Sequence, residues 1–280
     1  MQNILINGQP ASQIDVRDRG FQYGDGVFET VAFKNGQLQF WQAHMQRLDE
    51  ACERLNLPVI AAQQWLDDIA ALQPQGDAVI KLTLSRGVSA RGYAYSDSEQ
   101  HPLRVCALYP WTDYPQQNQQ GISAMICKTP VSMNAALAGI KHLNRLDNVL
   151  ARNEWRAPHI AEGLMLDHQQ HVIEGTMSNV FCVLDEQLYT PALELCGVRG
   201  VMREQIIQLA RSQGIMVNEI DISQQNFLQM DEIFVSNSLI GLWPVTSIID
   251  QPARQYSTSM AQQLQQQLQQ LNAHTALESN

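Results

Sequence analysis

One lysine stands apart from the others by its surroundings. Only four of the 18 basic residues are lysine: Lys34, Lys81, Lys128 and Lys141. Lys34 falls in the turn Lys34-Asn35-Gly36, and Lys81 and Lys128 lie in strand-like runs where an edge charge is ordinary. Lys141 instead follows the small, apolar stretch Asn134-Ala135-Ala136-Leu137-Ala138-Gly139-Ile140 and precedes a helical pattern. Losing hydration there disfavours the ammonium and lowers its pKa from about 10.4. The neutral amine is the form that attacks carbonyl groups and makes Schiff bases. The competing reading is a surface lysine at a helix start.

A lysine carrying an anionic carbonyl cofactor needs three further groups: a phosphate cradle, a carboxylate for a ring nitrogen and an anchor for the substrate. For the phosphate, Gly197-Val198-Arg199-Gly200-Val201-Met202-Arg203 reads as a glycine-punctuated loop opening a helix, whose N–H groups and dipole favour an anion. Ser236-Asn237-Ser238, after a strand, offers hydroxyls to the same anion. Arg47 lies beside the apolar stripe of its helix, able to turn inward or to face water. For the ring nitrogen, Glu174 closes the run His171-Val172-Ile173 just before Gly175-Thr176. A carboxylate there keeps a pyridine protonated and a better electron sink. Arg86 and Arg91, in the loop Ser85–Tyr95, are candidates for a substrate carboxylate, with plain loop solubility as the alternative. No Ser/His/Asp, Walker-type or metal-ligand spacing competes.

Strands are predicted at Ile4–Ile6 and at Val27–Phe33, the latter turning at Lys34-Asn35-Gly36 into Gln37–Trp41. Trp41, Met45, Leu48, Cys52 and Leu55 recur at helical spacing up to Pro58, and a second helix covers Gln63–Leu72. Ala78–Leu84 and Leu103–Tyr109 read as strands. Beyond the turn-rich Tyr114–Gly121 come a strand at Ile122–Lys128, a helix over Asn144–Trp155 and a meander of four short strands between Gly163 and Tyr189. A helix follows from Gly200 to Ser212. Two late strands, Glu232–Ser236 and Val245–Ile249, and a glutamine-rich helix over Ser257–Leu271 complete the pattern. The mixture indicates two mixed α/β (α+β) domains, residues 1–115 and 122–280, joined by a linker at 116–121, with Lys141 in the second.

The net charge of −10 and pI near 5.1 argue against nucleic acid or an anionic membrane as partner. The five scattered cysteines form no Cys-x-x-Cys pair, so zinc and redox motifs are unsupported and a reducing compartment is expected. No signal-like N-terminus or run of ~20 apolar residues is seen, so the expectation is a cytoplasmic protein.

Taken together, five motifs in order resemble the fold-type IV pyridoxal 5'-phosphate enzymes, the family of branched-chain and D-amino-acid aminotransferases and aminodeoxychorismate lyases. They are Asp18–Thr30, His44–Leu48, Lys141–Leu146, Glu174–Phe181 and Gly200–Arg203. The resemblance implies Lys141 as the Schiff-base lysine, Glu174 as partner of the pyridine nitrogen and Arg47 as a phosphate-binding arginine. It implies backbone N–H contacts to phosphate from Val201 and Met202, and a hydroxyl contact from Ser238. Many family members carry threonine where Met202 stands, which leaves only its backbone contact. Within the family, Lys141-His142-Leu143-Asn144-Arg145-Leu146 is most similar to the lyase version of the motif, and Thr30 occupies the place of a threonine implicated in the lyase reaction. The implied activity is conversion of 4-amino-4-deoxychorismate to 4-aminobenzoate and pyruvate in folate biosynthesis, with Lys141 and Thr30 catalytic and Arg91 on the substrate. The alternatives are an aminotransferase of the same family and a non-catalytic phosphate-binding protein of this fold. The resemblance further implies a cofactor between two domains and a homodimer.

Overall fold

The computed structural model describes residues 3–96, 100–249 and 254–277, the last nine of these as backbone only. The chain divides into two compact units. The first comprises Met1–Thr112 together with Ile140–Asn144, and the second Asp113–Gly139 and Arg145–Asn280.

The first unit runs β1 (Ile4–Ile6), β2 (Gln9–Pro10), α1 (Arg19–Tyr23), β3 (Gly26–Lys34), β4 (Gln37–Leu38), α2 (Trp41–Arg54), α3 (Ala62–Leu72), β5 (Ala78–Ser85) and β6 (Leu103–Pro110). Its six strands form one antiparallel sheet in the order β2-β1-β6-β5-β3-β4. The β3–β4 turn needs left-handed backbone at two successive residues, which Asn35 and Gly36 supply at φ 52° and 77°. Period-two alternation sends Val27, Val31, Ile80, Leu82 and Leu84 to one face, where they bury against Met45, Leu48, Trp65 and Ile69 of the two helices. Each such side chain contributes roughly 1.5–3 kcal/mol on leaving water. The opposite face carries the less apolar Phe28, Thr30, Lys81 and Thr83.

The second unit opens with a 3-10 turn (Gln116–Gln119) and continues through β7 (Ile122–Ile126), α4 (Leu146–Arg152), β8 (Ile160–Leu166), β9 (His171–Gly175), β10 (Asn179–Leu184), β11 (Gln187–Thr190), α5 (Val201–Ser212), β12 (Val217–Glu219), β13 (Ile222–Ser223), α6 (Gln224–Phe227), β14 (Glu232–Asn237), β15 (Gly241–Ile248) and α7 (Ser259–Leu277). Its strands lie in the order β12-β11-β10-β14-β15-β7-β8-β9-β13, and β9 also pairs with β10. That extra pairing closes six strands, β10-β14-β15-β7-β8-β9, into a ring around a core that includes Leu164, Val180, Ile233, Val235, Trp243 and Val245. The seam is the single pair Asn179↔Glu174.

Two features of this organisation differ from the sequence expectation. Residues 116–121 are not a free linker: the turn there packs on β15 and β7 within the second unit. Lys141 belongs to the first unit rather than the second. The reason is backbone bonding, since Phe28 N–H donates to Lys141 O at 3.0 Å and Leu143 N–H to Gly26 O at 3.0 Å, while Ile140 enters the first core. Sequence order alone does not reveal such a short excursion.

Candidate functional site

In the first unit the amine is set by strand β3. The bonds from Phe28 and Gly26 fix the main chain around Lys141, and its Nζ lies 4.4 Å from the centroid of the Phe28 ring. An aromatic face attracts a cation weakly and hydrates it poorly, and Lys141 is half-buried. Thr30 is two residues along β3 from Phe28, hence on the same face. Lys81 is its cross-strand partner on β5, with Nζ 5.3 Å from the centroid of the same Phe28 ring. The sequence reading treated Lys81 as an edge charge. Its register opposite Thr30 is what brings it to this face, and register was not legible before the strands were paired.

Arg47 turns inward. Its Nε donates to Glu29 Oε1 at 2.7 Å and its Nη2 to Glu29 Oε2, while His44 Nδ1 shares Oε2 at 2.7 Å. Glu29 is 1% exposed. Burial alone would raise its pKa, but the Arg47 charge and the His44 contact outweigh that and lower it to about 2. Arg47 therefore presents an oriented fork rather than a loose solvated charge. Arg86, a candidate for the substrate, is instead a structural anchor. It is buried, and its guanidinium donates to Asp25, to the carbonyls of Leu55 and Asn56 and to Gln100. Arg91 is exposed in the loop between β5 and β6.

In the second unit the seam of the ring positions the other groups. Glu174 and Asn179 lie directly opposite each other, so their side chains leave the sheet on one face. Both grip the same residue: Val198 N–H donates to Glu174 Oε2 at 2.8 Å, and Asn179 Nδ2 donates to Val198 O at 2.7 Å. Asn179 belongs to the Glu174–Phe181 motif, and its partner appears only once the strands are paired. Its signal was an amide at a strand start facing the predicted carboxylate. It also explains Gly200, because a Cβ there would come within 2.0 Å of Asn179 Oδ1. Gly200 is the N-cap of α5 and offers no side chain to its first turn, which leaves the N–H groups of that turn, Val201 and Met202 among them, uncapped. Ser236 follows Asn179 in the same cross-strand row, and its Oγ is fully buried without a partner among the described residues. Ser238 is half-buried in the β14–β15 turn. A buried carboxylate, an uncapped twelve-residue helix and an orphaned hydroxyl fit a group with a basic ring nitrogen and an anion.

The turn joining β9 to β10 rests on a second carboxylate, Glu162 of β8, also 1% exposed. Its oxygens accept from Thr176 Oγ1 at 2.6 Å, Ser178 Oγ at 2.7 Å and the N–H groups of Gly163 and Thr176. Burial pushes its pKa up, and these neutral donors offset that only in part. No His/Cys/Asp/Glu group suited to a metal occurs among the described residues, and no helix there is long and apolar enough to cross a membrane.

Comparisons with known proteins agree with this chemistry. The sequence model of the family described as Amino-transferase class IV matches residues 26–248. An aminodeoxychorismate lyase from Vibrio harveyi is 37% identical over 244 residues, covering 87% of this chain and 90% of the relative. A D-alanine aminotransferase from Listeria innocua is 30% identical over 254 residues, 88% of this chain and 87% of the relative. Among solved structures, the 4-amino-4-deoxychorismate lyase of Pseudomonas aeruginosa superposes with a TM-score of 0.90 at 39% identity, covering 95% of this chain and 98% of that one.

Proposed function

We propose that this chain, which belongs to the class IV aminotransferase family and is a pyridoxal 5'-phosphate-dependent enzyme, converts 4-amino-4-deoxychorismate to 4-aminobenzoate and pyruvate. The bound cofactor supplies an aldehyde for an amine and an electron sink for the bond broken next to it. The chain's own residues do the rest. Lys141 is the covalent anchor and, once freed, the base for the ring proton at C4 of the substrate. Thr30 delivers a proton to the departing enolpyruvate from the face it shares with Phe28. Glu174 holds the ring nitrogen, while Arg47, the N–H groups of Val201 and Met202 and the Ser238 hydroxyl hold the phosphate. Arg91, and from the same strand face Lys81, bind substrate carboxylates. Each acid–base group is worth about 10²–10⁴ in rate.

The observation that carries this reading is the shared face of β3, where the Lys141 amine lies on the Phe28 ring beside Thr30. A hydroxyl there is what an elimination needs and a transamination does not. The second reading, a D-amino-acid aminotransferase, is favoured by the Listeria relative. A further part of the proposal is a cytoplasmic homodimer.

Two experiments test it. Purified protein given aminodeoxychorismate and no amino acceptor should release fluorescent 4-aminobenzoate over many turnovers. Dependence on an added keto acid would instead establish the aminotransferase. Borohydride treatment should fix the cofactor to Lys141 and leave Lys141→Ala unlabelled; a reduced adduct on another lysine would overturn the assignment.

A further inference from the structure

Arg145, the N-cap residue of α4, sits four positions after Lys141 and has no role in the chemistry so far. Its carbonyl accepts the Val149 N–H at 3.0 Å, so the helix begins there, with Asn148 in its first turn. Asn148 shows what that turn covers. Its Nδ2 donates to Thr176 O at 3.1 Å and touches Met165 Sδ at 3.8 Å. Thr176 is two residues past Glu174, and Met165 is the β8 register partner of Glu174. The first turn of α4, which Arg145 caps, therefore lies over the strand position that holds Glu174.

From this geometry we infer that Arg145 is a positioning residue that keeps Glu174 an ionised, fixed hydrogen-bond acceptor for the pyridine nitrogen. The inference rests on the assignment of Glu174 to that nitrogen. Glu174 is buried, and burial favours the neutral acid. The backbone N–H of Val198 occupies one oxygen but carries no net charge. The ionisable groups near it are Glu162 of β8, which supports the adjoining turn, Cys196 in the loop before α5, and Arg145 at the start of α4, which itself lies near Asp147. The Cys196 thiol is pushed up to about 12 by burial and by the carboxylates near it, so it stays neutral. Arg145 itself is lowered by burial and raised back by Glu174 and then Asp147. Reciprocity makes that same coupling favour the Glu174 carboxylate. A carboxylate beside a pyridine leaves the shared proton on the ring, whereas a carboxylic acid would keep it.

The test begins on the protein freed of cofactor, so that it does not depend on the proposed reaction. The carboxyl carbon of Glu174, assigned by its loss in Glu174→Gln, should titrate at higher pH in Arg145→Leu than in the parent, and close to the parent in Arg145→Lys. Should Arg145→Leu fail to fold, Arg145→Gln gives the same reading. An unmoved titration in a folded charge-free variant overturns the inference. In holoenzyme loaded with ¹⁵N-labelled pyridoxal phosphate, the ring nitrogen resonance should then shift toward the unprotonated position in Arg145→Leu and not in Arg145→Lys. If the carboxyl titration moves but the nitrogen does not, Glu174 is not the nitrogen's partner, and the site assignment fails rather than the Arg145–Glu174 coupling.

Discussion

Glu29 in the first unit and Glu162 in the second are the same residue at the same 1% exposure, yet their acidities are displaced in opposite directions. Glu29 meets a guanidinium and an imidazole; Glu162 meets two hydroxyls and backbone N–H groups. Burial penalises both charges alike. Only a nearby cation repays it, because a charge–charge interaction in a poorly screened interior exceeds several neutral hydrogen bonds. The difference suits their tasks. The Glu29 contact fixes the orientation of a cation, Arg47. Glu162 braces the turn that follows Glu174 through neutral donors.

The largest effect expected from this contrast is that of Glu29→Gln. It leaves the Arg47 guanidinium without its counter-charge, and breaking a buried pair from one side costs about 3–5 kcal/mol. The pH dependence has a definite sign. With its folded pKa near 2 against 4.5 for the free side chain, Glu29 contributes stability that is complete above about 4.5 and is lost as pH falls toward 2, about 3 kcal/mol in all. Denaturant unfolding of parent and variant should therefore diverge between pH 2 and 4.5 and run parallel above. Equal curves over that range would remove the cation from the explanation.

Glu162→Gln should be milder and tilt the other way. A raised folded pKa gives a contribution present below about 4.5 and lost as pH climbs through the folded value. An amide cannot ionise, so the variant's deficit, about 1 kcal/mol at low pH from rearranged donors, should shrink as pH rises. A deficit that widens with pH would mean that Glu162 is held as a carboxylate by a cation absent from its partners here.

Much of this contrast was hidden in the sequence. Local chemistry was legible: the Asn35-Gly36 turn, the start of α5 at Gly200 and the carboxylate at the end of β9 all announce themselves within a few residues. Pairings across distance were not. Arg47 finds Glu29 eighteen residues back, across a hairpin and onto a helix. Arg86 reads as a loop arginine because its acceptors, the Asp25 carboxylate and the Asn56 carbonyl, lie sixty-one and thirty residues away. Glu162 reads as one polar residue opening a strand, and only the return of β9 alongside β8 brings Thr176 and Ser178 onto it. Lys141 was found by composition, but its unit was not, since that depends on backbone bonds to β3 formed by a segment of five residues.

The finest test of the comparison removes a neutral donor rather than a charge. In Thr176→Val the hydroxyl that reaches Glu162 Oε1 at 2.6 Å is replaced by a methyl group of similar shape, while the N–H groups of Gly163 and Thr176 and the Ser178 hydroxyl remain. Losing one such bond to a buried acceptor costs about 1 kcal/mol, since the other donors still satisfy it. The hydroxyl favours the ionised form, so its removal should move the Glu162 titration further upward and steepen the loss of stability above pH 4.5. Glu29, in the other unit and without shared partners, should keep its own low-pH transition unchanged, as independent sites do. Calorimetric melting across pH 2 to 8 reads both transitions in one protein. A shift of the low-pH limb in Thr176→Val would show that the two carboxylates are coupled after all, and the contrast between them would then need one explanation in place of two.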